Sequence, residues 1–163
     1  MFIDFHSVYE RYSQDVYRFV CFLSGDASLA EEITQETFVR AWVTPEQIRV
    51  GTVKAYLFMI ARNLYRSELK RGRRHAILEN SLPDPRPGPQ SSVDVRLDLQ
   101  DALKALQTLP ELDRAALLMH VQDGLPYAEI AAALGVSVGA VRVRIYRARV
   151  KLNQLKPSTR GLS

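Results

Sequence analysis

The sequence predicts an all-α protein of two small helical domains joined by a proline-rich linker. Three observations predict it: apolar residues recur at spacings of three and four; prolines at 83, 85, 87 and 89 alternate with other residues; and Pro126 to Lys151 reads as two helices about a tight turn. The expected boundaries are 1–75 for the first domain, 76–94 for the linker, 95–157 for the second domain and 158–163 for a tail.

In the first domain, residues 4–23 place Phe5, Val8, Tyr12, Val16, Phe19 and Leu23 on one stripe of an amphipathic helix. Ser24, Gly25 and Asp26 break it, and Ser28 followed by Glu31 has the form of a capping box for a second helix ending near Trp42. Leu29, Ala30, Ile33, Thr37 and Ala41 face inward on that helix, and Glu32, Gln35, Glu36 and Val39 face outward. Thr44 to Gly51 reads as a loop with one helical turn after Pro45. A third helix runs from Thr52 to Arg74, with Leu57, Ile60, Ala61 and Leu64 inward and Met59, Arg62, Asn63, Arg66, Lys70 and Arg73 outward.

The linker follows, because prolines at this density forbid helix and sheet and leave an extended connector. In the second domain, Val95, Leu97, Leu99, Leu103, Leu106 and Leu109 begin a second helical unit. Pro110 and Asp113 start a helix over Leu112 to Val121, which Asp123 and Gly124 end. Pro126 then opens a helix that Gly135 stops, and Ser137 caps the last one, whose inner stripe is Val141, Ile145, Ala148 and Leu152.

Composition narrows the chemistry. The net charge is only +4, yet of the 22 Lys and Arg residues six lie between Arg62 and Arg74 and five between Arg142 and Lys151. Half the positive charge in two short stretches favours two contacts with a polyanion. The one cysteine, Cys21, cannot form an internal disulfide and sits in an apolar run as a core residue. No stretch has the form of a signal peptide or a membrane span, so the expectation is a cytoplasmic protein that inserts in no membrane. His6, His75 and His120 have no Cys, Asp or Glu at metal-ligand spacing, and no HExxH, GxSxG or phosphate loop occurs. No catalytic residue, metal site or cofactor is expected, and the protein is not expected to be an enzyme.

The two basic rows are the candidate functional sites. On the last helix Arg142, Tyr146 and Arg149 oppose the apolar stripe, flanked by Arg144, Arg147 and Lys151, as suits a helix in a DNA major groove. On the third helix Tyr56, Phe58, Asn63 and Tyr65 interleave with arginines, a mixture suited to stacking on unpaired bases, bonding base edges and holding phosphates. Basic rows also occur on solvated helices, and helix-turn-helix geometry also occurs as plain packing.

Three segments, in this order, resemble the extracytoplasmic-function (ECF) group of bacterial sigma factors, the minimal kind with only sigma domains 2 and 4. DASLAEEITQETFVRAW (Asp26 to Trp42) is similar to the core-polymerase-binding helix, AYLFMIARNLYRSELKRGRR (Ala55 to Arg74) to the promoter-melting helix, and YAEIAAALGVSVGAVRVRIYRAR (Tyr127 to Arg149) to the second-domain helix-turn-helix. The resemblance implies a protein that binds core RNA polymerase and directs promoter-specific initiation. Its partners would be the clamp helices of the largest subunit, the flap of the second-largest subunit, promoter DNA and an anti-sigma protein. Glu32, Gln35, Glu36 and Val39 would dock on the polymerase. Asn63 would read a base flipped from the −10 element, with Tyr56, Arg62, Arg66, Lys70, Arg73 and Arg74 around it. Ser137, Arg142, Val143, Tyr146 and Arg147 would face the −35 element, with Arg144, Arg149 and Lys151 on phosphates.

Three positions depart from the family pattern. Pro126 stands in place of Ser, Tyr56 in place of a frequent Trp, and Val143 in place of a common Ser, which exchanges a polar contact for a methyl-bearing surface suited to thymine. The competing expectation is a helix-turn-helix regulator that acts without replacing a sigma factor. It would leave the outward face of Glu32, Gln35 and Glu36 unexplained.

Overall fold

A computed structural model describes residues 4–43, 52–72 and 93–155, with the backbone alone for 93–98. The expected loop over Thr44 to Gly51, the linker prolines, Arg73, Arg74, His75 and the tail lie outside the described residues. Among those described there are seven α-helices and no strand. They are α1 (Phe5–Ser24), α2 (Ala27–Val43), α3 (Val53–Lys70), α4 (Val93–Gln107), α5 (Glu111–Leu117), α6 (Tyr127–Leu134) and α7 (Val138–Leu155). A π-helical turn, Leu118–Gln122, continues α5.

Local chemistry sets most of the ends. Gly25 closes α1 at φ 73°, where its N–H bonds the Cys21 carbonyl at 2.8 Å. The capping box expected at Ser28 and Glu31 is not what starts α2. Asp26 does so, its Oδ1 accepting the Leu29 N–H at 3.1 Å, while the Ser24 hydroxyl accepts the Asp26 N–H. Thr52 caps α3 through Ala55, and Ser137 caps α7 by accepting the Ala140 N–H at 3.0 Å.

The α1 stripe packs on α2 and α3, with Val16, Phe19 and Leu23 wholly buried and Phe5, Val8 and Tyr12 half-buried. Phe19 stacks on Phe58 with ring centroids 4.6 Å apart. Cys21 is buried as expected, and that burial pushes its thiol up to about 11. In the second unit, α5 and α6 pack on the inner stripe of α7.

The two units share one interior. α3 lies against α6, and α1 lies against α4 and the π turn. The joint is built on the unsatisfied carbonyls that any helix leaves at its C-terminus. The Ser24 hydroxyl donates to the Val20 carbonyl, and Gly25 takes that of Cys21. The second unit supplies the rest: the Gln107 amide donates to the Phe22 carbonyl at 2.9 Å and the Arg114 Nε donates to that of Leu23 at 2.8 Å. The buried Arg114 guanidinium also donates to the Leu109 carbonyl and, at 3.3 Å, to the Tyr65 hydroxyl. Burial raises the Tyr65 phenol above its ordinary value, and the Arg114 charge opposes that rise.

Candidate nucleic-acid interface

On α7 the outward row is delivered as its spacing requires. Val141, Ile145 and Ala148 are buried, while Arg142, Val143, Tyr146, Arg147, Arg149 and Lys151 are exposed, Tyr146 at 68%. Ser137 is also exposed, though its oxygen is already engaged by the helix start. Arg144 departs from the row: it is half-buried, and its guanidinium donates to the Asp113 carboxylate at 3.0 Å. Arg142 lies with its guanidinium carbon 5.3 Å from the centre of the Tyr127 ring. The turn that sets this geometry is short, closed by Gly135 at φ 72° and capped by Ser137.

On α3 the structure divides the expected row. Asn63, Arg66 and Lys70 are exposed, as the helical arc requires. Arg62 is not; its side chain is 6% exposed, and it grips Glu111 of α5 through two bonds of 2.8 and 2.7 Å. The expected outward position of Arg62 is thus corrected by packing of the second unit, which supplies a carboxylate to a guanidinium it covers. The aromatic residues are corrected in the same way. Tyr56, Phe58 and Tyr65 are buried at 4%, 0% and 2% exposure, so they are core side chains and not a platform for stacked bases. A cleft of about 320 Å³ between α2 and α3 nevertheless brings Tyr56 and Asn63 together. Ser67, Arg40 and Arg71 also line it.

The outer face of α2 shows Glu32, Gln35, Glu36 and Val39, all exposed. Glu36 accepts from Arg40 one turn along at 3.1 Å. The face runs on into Trp42 and Val43, 61% and 65% exposed, and the Trp42 ring meets Phe5 edge-on at 4.5 Å. Three participants in this geometry were not singled out by the sequence: Trp42, Tyr127 and Glu111. Trp42 had a signal, being apolar on the outward arc; the other two act across long sequence separations that no local pattern encodes.

Among the described residues, no cluster of three or more His, Cys, Asp or Glu could hold a metal ion. No helix among them is long and apolar enough to cross a membrane.

Comparison with known proteins bears on this geometry. Residues 8–75 match the Sigma-70 region 2 family and residues 99–152 match Sigma-70 region 4. The chain is similar to the ECF RNA polymerase sigma factor SigE of Mycolicibacterium smegmatis, with 37% identity covering 87% of this chain and 57% of that protein. It thus spans little more than half of SigE. It is also similar to the ECF RNA polymerase sigma factor EcfG of Rhodopseudomonas palustris, with 33% identity covering 84% of this chain and 76% of that protein. Among solved structures it resembles the sigma factor RpoE of Bartonella quintana, crystallised in complex with the anti-sigma factor NepR. That match has a TM-score of 0.76 at 30% identity and covers 93% of this chain and 96% of that one.

Proposed function

The chain belongs to the ECF sigma factors of the sigma-70 family, and from that premise we propose how its surfaces divide the work of promoter-specific initiation. The carrying observation is α7. A helix with three buried apolar residues on one side and exposed Arg142, Tyr146 and Arg149 on the other follows a capped turn. That is a reading head for duplex DNA, with Arg142 and Tyr146 toward base edges of the −35 element and Arg149 and Lys151 toward phosphates. Arg144, tied to Asp113, holds α7 on α5 and contributes charge from the side.

The −10 element falls to α3. Asn63 at the mouth of the α2–α3 cleft has both a donor and an acceptor for a flipped base, and Arg66 and Lys70 flank it as phosphate contacts. Tyr56 contributes a wall of that cleft and not an exposed stacking surface. Arg62 is withheld by Glu111 while the two units are packed together, and it becomes available only when they part. The α2 face of Glu32, Gln35, Glu36 and Val39 docks on the polymerase clamp helices, with Trp42 at its edge. The flap of the second-largest subunit would hold the second unit. RpoE's complex with NepR supports an anti-sigma partner for this chain as well.

Polymerase docking separates this reading from a helix-turn-helix regulator, so it is the property to test. Core polymerase titrated with the labelled chain should bind the wild type. It should bind E32K/E36K at least tenfold more weakly at physiological salt, with an unchanged circular dichroism spectrum, because like charges across an interface cost several kcal/mol. Equal affinity for the two would remove α2 from the interface.

A further inference from the structure

An arginine that reads a base needs more than an exposed position. Its side chain has a large rotamer freedom, and each torsion fixed on binding weakens the contact it makes. In this chain the guanidinium of Arg142 is already supported, lying over the face of Tyr127 at 5.3 Å. Among the described residues no carboxylate pairs with Arg142, so its donors remain available to an incoming acceptor. Tyr127 is itself held. It is the first residue of α6, its backbone entry is fixed by Pro126 at φ −66°, and its ring is half-buried.

Against that ring stands His120, with ring centroids 4.8 Å apart and a tilt of 57°. The His120 Nδ1 lies 3.4 Å from the Leu125 carbonyl oxygen. His120 is on the π turn, where the Asp123 N–H reaches the Leu118 carbonyl five residues back. The extra residue in that turn takes the chain out of α-helical register at the point where the imidazole meets the tyrosine ring. The Arg142 guanidinium thus rests on a tyrosine whose ring is itself in contact with an imidazole.

We propose that Tyr127, whose ring also meets His120, is the positioning residue that presents Arg142 to a guanine in the −35 element and so sets the strength of discrimination at that one base pair. The proposal rests on the reading of Arg142 as a base contact. A cation over an exposed aromatic face is worth a factor of about two to five, which is the share of discrimination that Tyr127 would supply.

The test uses the full chain reconstituted with core polymerase from its source organism. Initial transcription rates are measured on promoters in which each −35 base pair is changed in turn. R142A should lose discrimination at one guanine. Y127L, which fills space without a π face, should lower discrimination at that same position by about two- to fivefold and leave the others unchanged. Y127F keeps the ring and should match the wild type, and R142A/Y127L should behave as R142A alone. The positioning role is overturned if Y127L keeps full discrimination there, or if it lowers transcription evenly on every promoter, as a merely structural residue would. If R142A itself relaxes no position, the base-contact reading fails and the positioning role falls with it.

Discussion

At the scale of single residues, Asp123 shows most clearly how a charge is placed at some cost. Its side chain is 2% exposed, Oδ1 is 3.7 Å from the Lys54 ammonium, and Oδ2 is buried without a hydrogen-bond partner. Lys54 is shared with Asp15 at 3.6 Å, so one cation faces two carboxylates. Burial pushes the Asp123 carboxyl up to about 7; Lys54 works against the rise and Asp15 adds to it. The sign of the pH dependence follows. Between pH 4 and 7 the folded protein holds a proton that the unfolded chain has released, so stability falls as pH rises through that window, by at most roughly 4 kcal/mol. D123N removes the titration and should melt at the same temperature as the wild type near pH 4 and clearly above it at pH 8. A gap of the same size at both pH values would show that ionisation of Asp123 is not the cause. The raised value had no signature in the sequence, since Asp15 and Lys54 belong to one unit and Asp123 to the other.

At the scale of elements, the helix-turn-helix was legible because its signals are local. Gly135 stops α6 and Ser137 starts α7 through groups within four residues of each other. Gly135 has φ 72° and nothing within 4 Å of where a Cβ would stand, so a substitution there meets backbone strain alone. G135A should therefore lower stability by about 1–2 kcal/mol in denaturant titration, with the unfolding slope unchanged. No loss would mean that the left-handed residue is not what ends α6. Ser28 and Glu31 imitate a capping box two residues past the true cap of α2, because Asp26 reaches Leu29 first. α3 was misread for a different reason. Helical arithmetic assumes one buried face, but α3 is covered by α1 and α2 on one side and by the second unit on the other. Arg62 and Tyr65, placed outward or on a nucleic-acid face by spacing, are therefore interior. The π turn has no pattern of its own that a reading of periodicity could find.

At the scale of the molecule, the contacts that matter most join residues far apart in the chain. Arg62 meets Glu111 across 49 residues and Arg114 meets Leu23 across 91. No periodicity encodes them, which is why the way the two units meet was not legible in the sequence. Their consequence is functional. The row on α7 proposed to meet the −35 element is exposed in this arrangement, whereas part of the α3 row is neutralised by Glu111, so the two proposed DNA surfaces are not equally available. Parting the units would free Arg62 and leave Glu111 to water. What the sequence could carry was the exposed face of α2 and the outward row of α7, because each is written in the residues of one element.

As we propose, this chain alone supplies promoter specificity to a polymerase. Purified core enzyme from the source organism, given a library of that organism's promoters with and without the chain as sole specificity factor, tests it most directly. Specific transcripts that appear only when the chain is present, sharing one −35 and one −10 sequence, are the predicted result. Transcripts that require a second sigma factor already bound to the polymerase would contradict it.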